Sequence, residues 1–201
     1  MITDISRFRQ TLVKFDAANA ADPNQDIFEG VIYPRELLYS IRMTTMLKHF
    51  EPNASETLQL AARCQHICRW KIPRDSYPMD RTGYKCWRVA LYKFHGEISG
   101  EIMREMGYDE KIITDVQALL RKENIKTNPE SQLLEDVVCL VFIKHYIVDF
   151  IKKYNHINEE KLLNIIRKTW KKMSPKGHAT ALSFNFASEV REVINKALTT
   201  I

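Results

Sequence analysis

Residues 133–143 read Leu-Leu-Glu-Asp-Val-Val-Cys-Leu-Val-Phe-Ile, and this stretch is the strongest pointer to the fold. Nine of these eleven residues are apolar, and at helical spacing they cover nearly every face of a helix. Glu135 or Asp136 must therefore point inward or along the wall of a cleft. A carboxylate in such a place is costly unless it is paired, hydrogen-bonded or bound to a metal. We therefore expect a buried helix that holds a carboxylate with a specific partner.

The rest of the chain shows helical spacing almost throughout and no strand-like alternation of any length. Pro34 suits a helix start, Asn53 or Ser55 a helix cap, Gly107 a helix stop and Ser174 another start. Together these signals predict an all-α fold. The predicted helices cover about 4–19, a segment from Pro34, a segment from Asn53 or Ser55 to 67, and then 84–106, 110–122, 130–154, 159–173 and 179–198, with a loop at 73–83.

Length and composition indicate an ordinary globular protein. The chain has 201 residues, 45% of them hydrophobic and 27% charged, which excludes a disordered chain and a disulfide-stapled mini-protein. We expect one domain over 1–201, with the core motifs within 53–150 and the C-terminal helices 159–198 packed on it. Four cysteines without a leader sequence, and no apolar run near 20 residues, predict a cytoplasmic protein with reduced thiols and no membrane association.

Positive charge is concentrated in two stretches of the sequence. The segment 63–93 carries eight basic and two acidic residues, and the segment 161–176 carries six basic residues and no acidic one. Each stretch has a net charge of +6, whereas the whole chain has only +5, so the remainder is acidic. In the first stretch the basic residues alternate with tryptophan and tyrosine. This pattern predicts an anionic ligand, although a solvated helix face is an equal explanation for the second stretch.

Three polar residues inside apolar helices are candidates for a metal site. His66 and His95 are each framed by apolar residues, and Asp136 lies in the apolar stretch described above. Two imidazoles and a carboxylate from three helices suit a divalent transition metal with open positions for water and substrate. Each residue also has a structural explanation, because buried histidines are often satisfied by the core and a buried aspartate usually meets an arginine.

Three segments carry a resemblance to a known superfamily. The segments His66-Ile67-Cys68-Arg69-Trp70, Ala90-Leu91-Tyr92-Lys93-Phe94-His95 and Glu130-Ser131-Gln132-Leu133-Leu134-Glu135-Asp136 resemble the HD superfamily of metal-dependent phosphohydrolases. The strings RCQHICRWKIPRDSYPMDRTGYKCWR, LEDVVCLVF and RKTWKKMSPKGHATAL are similar to the family catalogued as domain of unknown function 4202. The resemblance implies a helical HD-like domain.

The HD resemblance also implies a site. Its metal ligands would be His66, His95 and Asp136, and its cofactor a divalent ion such as Mn, Fe, Zn or Mg. The metal would activate a water molecule for attack on phosphorus. This chain departs from the pattern at Gly96, where HD enzymes have an aspartate directly after the second histidine. The residues expected to bind the substrate anion are Arg69, Arg74, Arg81, Arg88 and Lys122.

Several functions therefore stay open. The first is metal-dependent hydrolysis of a small phosphorylated or nucleotide-like compound. The alternative is a noncatalytic HD-like module that binds an anionic ligand or RNA, since arginine and aromatic residues are mixed as in single-strand binders. An HD-type dinuclear iron oxygenase is a third option. If the anion prediction is right, replacing Arg81 or Arg88 with alanine weakens ligand binding with little loss of stability.

Overall fold

The computed structural model describes residues 2–123, 125, 127–154 and 159–199. These residues form ten α-helices, two short 3-10 segments and one two-stranded hairpin, which confirms the predicted all-α class. The chain divides into two compact units, 1–134 and 135–201. The single HD-like domain over 1–201 stays a prediction. Within the described residues no helix is long and apolar enough to cross a membrane.

The first unit begins with a capped helix and a hairpin. The Asp4 side chain accepts from the Arg7 amide at the start of α1 (Ile5–Ala20). Strands β1 (Gln25–Phe28) and β2 (Val31–Pro34) then pair antiparallel. Their turn residues, Glu29 and Gly30, both have positive φ angles, which matches the right-handed twist of a tight hairpin. The sequence prediction missed this sheet because its strands are only four residues long.

Four further helices follow in the first unit, with the bounds Arg35–Phe50 for α2, Glu56–Cys64 for α3, Arg81–Glu105 for α4 and Glu110–Leu120 for α5. Ser55, rather than Asn53, caps α3 by accepting from the Leu58 amide at 3.0 Å. Gly107 adopts a left-handed φ of 76° after α4, which confirms the predicted helix stop. Helix α5 packs on α3 and α4, and α2 packs on α3.

The second unit is helical and has its own core. Helix α6 (Pro129–His145) runs through the division between the units, and the predicted helix 130–154 is interrupted at Tyr146. The buried core of this unit consists of Ile147, Ile151, Leu162, Leu163, Ile166, Val190, Ile194 and Ala197. The remaining bounds are Ile147–Tyr154 for α7, Glu159–Trp170 for α8, Pro175–Leu182 for α9 and Ser188–Leu198 for α10.

The predicted helix 179–198 is wrong, because the structure has two helices there. Ser174 caps α9 by accepting from the Gly177 amide, as predicted for a helix start. The helix ends at Leu182, where the Ser183 hydroxyl donates to the Thr180 carbonyl at 2.7 Å. A serine hydroxyl that donates to a nearby backbone carbonyl competes with the hydrogen bonds that would continue the helix.

Candidate functional site: two histidines and a basic cluster

His95 is the most deeply buried histidine of the site, with 3% of its surface exposed on α4. Its Nδ1 lies 2.8 Å from the carbonyl oxygen of Ile67. Because a carbonyl can only accept, Nδ1 carries the proton and Nε2 presents a lone pair. Burial lowers the pKa of His95 to about 3, so the ring is neutral. Nε2 is buried and has no hydrogen-bond partner among the described residues.

His66 lies beside His95, with 5.9 Å between the ring centroids. Arg69 Nη1 donates to His66 Nε2 at 2.8 Å. Nδ1 must then hold the proton, and it faces Glu36 Oε2 at 3.3 Å. The Tyr39 ring stacks on the His66 ring, with 4.0 Å between the centroids and an angle of 11° between the planes. Burial, and then the positive charge of Arg69, hold the pKa of His66 well below its usual range.

Glu36 is a site residue that the sequence analysis missed. It is buried near the start of α2, and its amide donates to Asp22 Oδ2 at 3.0 Å. Burial raises the pKa of Glu36 to about 7, against the opposing effect of Arg69. The sequence held a signal for this burial. Tyr39 and Met43 follow Glu36 by three and seven residues, so the three side chains share one face of α2, and all three are buried.

Three cations lie near His66, and two of them, Arg69 and Arg88, also act on His95. We call Arg69, Arg88 and Lys122 the basic cluster, because the positive charge of each acts on His66. Arg69 lies over the Trp87 ring, with its guanidinium carbon 4.9 Å from the centroid. Lys122 Nζ lies 5.8 Å from the centroid of Tyr92. The structure thus brings together five of the eight predicted site residues.

Arg88 is the member of the basic cluster with the least charge compensation. It is half-buried on α4, and its guanidinium donates to the hydroxyl groups of Tyr92 and Tyr84. The Tyr92 ring also lies below it, with 5.0 Å from the guanidinium carbon to the centroid. Among the residues that the structure describes, no carboxylate forms an ion pair with Arg88. A half-buried guanidinium with only neutral partners leaves a positive charge open to an anionic ligand.

Two non-glycine residues with left-handed backbone shape the site. Cys68 has a φ of 53°, and its amide donates to Asn19 Oδ1 at 2.9 Å. This turn lies between Ile67, whose carbonyl binds His95, and Arg69, which binds His66. Lys122 has a φ of 59° just after α5. Such conformations are rare outside glycine and are often found at functional sites.

The other two predicted anion contacts are Arg74 and Arg81. The guanidinium carbon of Arg74 lies 5.8 Å from the centroids of both Tyr84 and Trp87, which also contact Arg88 and Arg69, so Arg74 borders the basic cluster. Arg74 donates to the backbone carbonyls of Tyr77, Pro78 and Asp80, which holds the loop before α4 together. Arg81 is exposed at the first position of α4. Their roles as anion contacts stay predictions.

Asp136, the third predicted metal ligand, lies in the second unit with 1% of its surface exposed. Its Oδ1 accepts from the Ser174 amide at 2.7 Å, and its Oδ2 accepts from the Ser174 hydroxyl at 2.6 Å. A Cβ at Gly177 would lie 2.7 Å from Asp136 Oδ1, so any side chain at this position would have to displace the carboxylate. The expected buried carboxylate with a specific partner is therefore present, and it anchors the start of α9.

The residues meet some requirements of a metal site and not others. His95 fits, because a backbone carbonyl fixes its Nδ1 and leaves Nε2 as a donor atom for a metal. His66 does not fit as arranged, since Arg69 and Glu36 engage both of its nitrogens. Within the described part of the chain, no three His, Cys, Asp or Glu side chains are grouped so that they could hold a metal ion. The metal ligand set stays a prediction.

Comparison with known proteins identifies the family. The model of the family described as a domain of unknown function, DUF4202, matches residues 9–194. No curated protein and no solved structure matches the chain. Because the family match covers nearly the whole sequence, including every residue of the histidine pair and the basic cluster, this chain belongs to the DUF4202 family.

Proposed function

We propose that this protein binds a small phosphorylated compound at the basic cluster, beside His66 and His95. The observation that carries the proposal is Arg88, a half-buried guanidinium whose partners are two tyrosine hydroxyls. Such a charge is stabilised when an anion completes its hydrogen bonds.

The charge balance of the site favours a dianion. Within the basic cluster, Arg69 and Arg88 supply two positive charges. Glu36 lies 4.0 Å from Arg69 Nε, and because burial raises its pKa to about 7, it offsets only about half a charge at neutral pH. Both histidines are neutral because burial lowers the pKa of each. A phosphate monoester carries about 1.5 to 2 negative charges at pH 7. It would therefore neutralise the net charge of the site, whereas a monocarboxylate would leave part of it uncompensated.

A titration with two ligands of similar length tests this proposal. We expect propyl phosphate to bind at least 10-fold more tightly than butyrate, because only the phosphate carries two charges and three terminal oxygens. Isothermal titration calorimetry measures both affinities. Binding should fall only modestly with salt, since a small dianion replaces few counterions. Equal affinity for butyrate, or no binding of propyl phosphate, would contradict the proposal, and a steep salt dependence with RNA alone would favour the RNA alternative.

Metal-dependent hydrolysis is a second candidate, favoured by the unpartnered Nε2 of His95. When bound, a divalent metal would supply an activated water molecule near neutral pH. The chain's own residues would hold the phosphate at the basic cluster and keep His95 oriented through Ile67. In the same titration, release of propanol by metal-loaded protein but not by chelator-treated protein would support hydrolysis. If propyl phosphate bound but no propanol were released with any metal tested, the protein would be a binding protein and not a hydrolase.

A further inference from the structure

The unpartnered nitrogen of His95 is the feature that the phosphate site does not use. Nε2 is buried beside the basic cluster, and the Ile67 carbonyl fixes it as a hydrogen-bond acceptor. A buried polar atom without a partner is costly, so native proteins nearly always satisfy it with protein, water or ligand. The positive charges of Arg69 and Arg88 act on the same ring, so a ligand held by these two cations is the candidate partner for Nε2.

The surroundings of Nε2 select the chemistry of that partner. The positive charges of Arg69 and Arg88 act on His95, which disfavours an ammonium group at this place. The neighbouring His66 cannot serve, because Arg69 and Glu36 engage its two nitrogens. A neutral hydrogen-bond donor is not repelled by these two arginines. Among neutral donors, a hydroxyl group is the smallest that a phosphorylated metabolite carries close to its phosphate.

We propose, on the basis of the phosphate site above, that the ligand also carries a hydroxyl group that donates to His95 Nε2. The ligand class is then a hydroxylated phosphate monoester, such as a polyol phosphate or a sugar phosphate. In this arrangement the basic cluster holds the phosphate and His95 distinguishes hydroxylated esters from simple alkyl esters. An acceptor site of this kind discriminates against analogues that lack the donor, because the buried nitrogen is then left unpaired.

A matched pair of ligands tests the proposal in the wild-type protein. Glycerol 3-phosphate and propyl phosphate have the same carbon chain, and only the first carries hydroxyl groups. We expect glycerol 3-phosphate to bind about 5- to 10-fold more tightly by calorimetry. Equal affinities would overturn the hydroxyl proposal while leaving the phosphate site intact. If neither ester bound, both proposals would fail.

Two variants locate the discrimination at His95. His95→Asn keeps a donor near the position of Nδ1 but removes Nε2, so the affinity ratio between the two esters should fall toward one. His95→Gln places an amide oxygen near the position of Nε2, so this variant should keep part of the preference for glycerol 3-phosphate over propyl phosphate. A readout that needs no variant is the ¹⁵N shift of His95 Nε2, which should change on adding glycerol 3-phosphate and not propyl phosphate. The same shift with both esters, or with neither, would contradict the assignment.

Discussion

Replacing Arg88 with methionine should weaken the binding of propyl phosphate by about 10- to 100-fold. Methionine keeps much of the aliphatic volume of arginine but removes a charge-assisted hydrogen bond worth about 1.5–3 kcal/mol. Arg88 has no carboxylate ion pair among the described residues, so its loss should leave thermal stability nearly unchanged. Calorimetric titration and a melting curve measure the two effects.

Arg104 offers a matched control for the Arg88 variant on the same helix. It lies 16 positions further along α4, which places it about 24 Å away, and it forms a surface ion pair with Glu110. Arg104→Met should leave the affinity unchanged. Equal losses for both variants would show a general charge effect instead of a site. A large fall in melting temperature for Arg88→Met alone would show that Arg88 is structural.

Replacing Asp136 with alanine should lower the free energy of unfolding of the second unit by about 2–4 kcal/mol. The change removes two hydrogen bonds to the half-buried Ser174, one of them with its amide at the start of α9. Asp136→Asn should lose about half as much, because its amide oxygen still accepts from the Ser174 amide. Urea unfolding, monitored through the hydrogen exchange of the backbone amides of α9, measures the effect in this unit.

Asp149 is the control for the Asp136 variants. Its side chain is 85% exposed on α7 and forms only a weak ion pair with Lys152. Asp149→Ala should change the stability by less than about 0.5 kcal/mol. If Asp136→Ala were equally neutral in stability, the contact with Ser174 would not anchor α9. A metal-binding role for Asp136 would then become the better explanation of its burial.

The sequence predicts the helices well and some of their ends poorly. The caps at Ser55 and Ser174 and the stop at Gly107 were predictable because each depends on a local hydrogen bond or a left-handed residue. The break between α9 and α10 was not, since it follows a side-chain hydrogen bond at Ser183 that periodicity does not show. The hairpin was missed because four-residue strands give too little alternation to detect.

The candidate site was predictable in part. His66 and His95 were found because a polar residue inside an apolar helix is visible in the sequence, and the nearby arginines were found from their aromatic neighbours. Glu36 was missed, although its spacing to Tyr39 and Met43 places it on a buried face. Arg88 lacks an acidic partner among the described residues, whereas Arg74 donates to three backbone carbonyls. All of these hydrogen bonds are local, but the three carbonyls accept from Arg74 only in the particular conformation of the loop at residues 77–80, which residue spacing does not reveal.

The most direct test of the phosphate site is a crystal structure with bound tungstate, a dianion that resembles phosphate and can be located by its anomalous scattering. We expect one strong anomalous peak within hydrogen-bond distance of Arg69, Arg88 and Lys122. The peak should weaken when propyl phosphate is added, because both anions compete for the same cations. A peak only along the second basic stretch, at residues 161–176, with none at the basic cluster, would contradict the account.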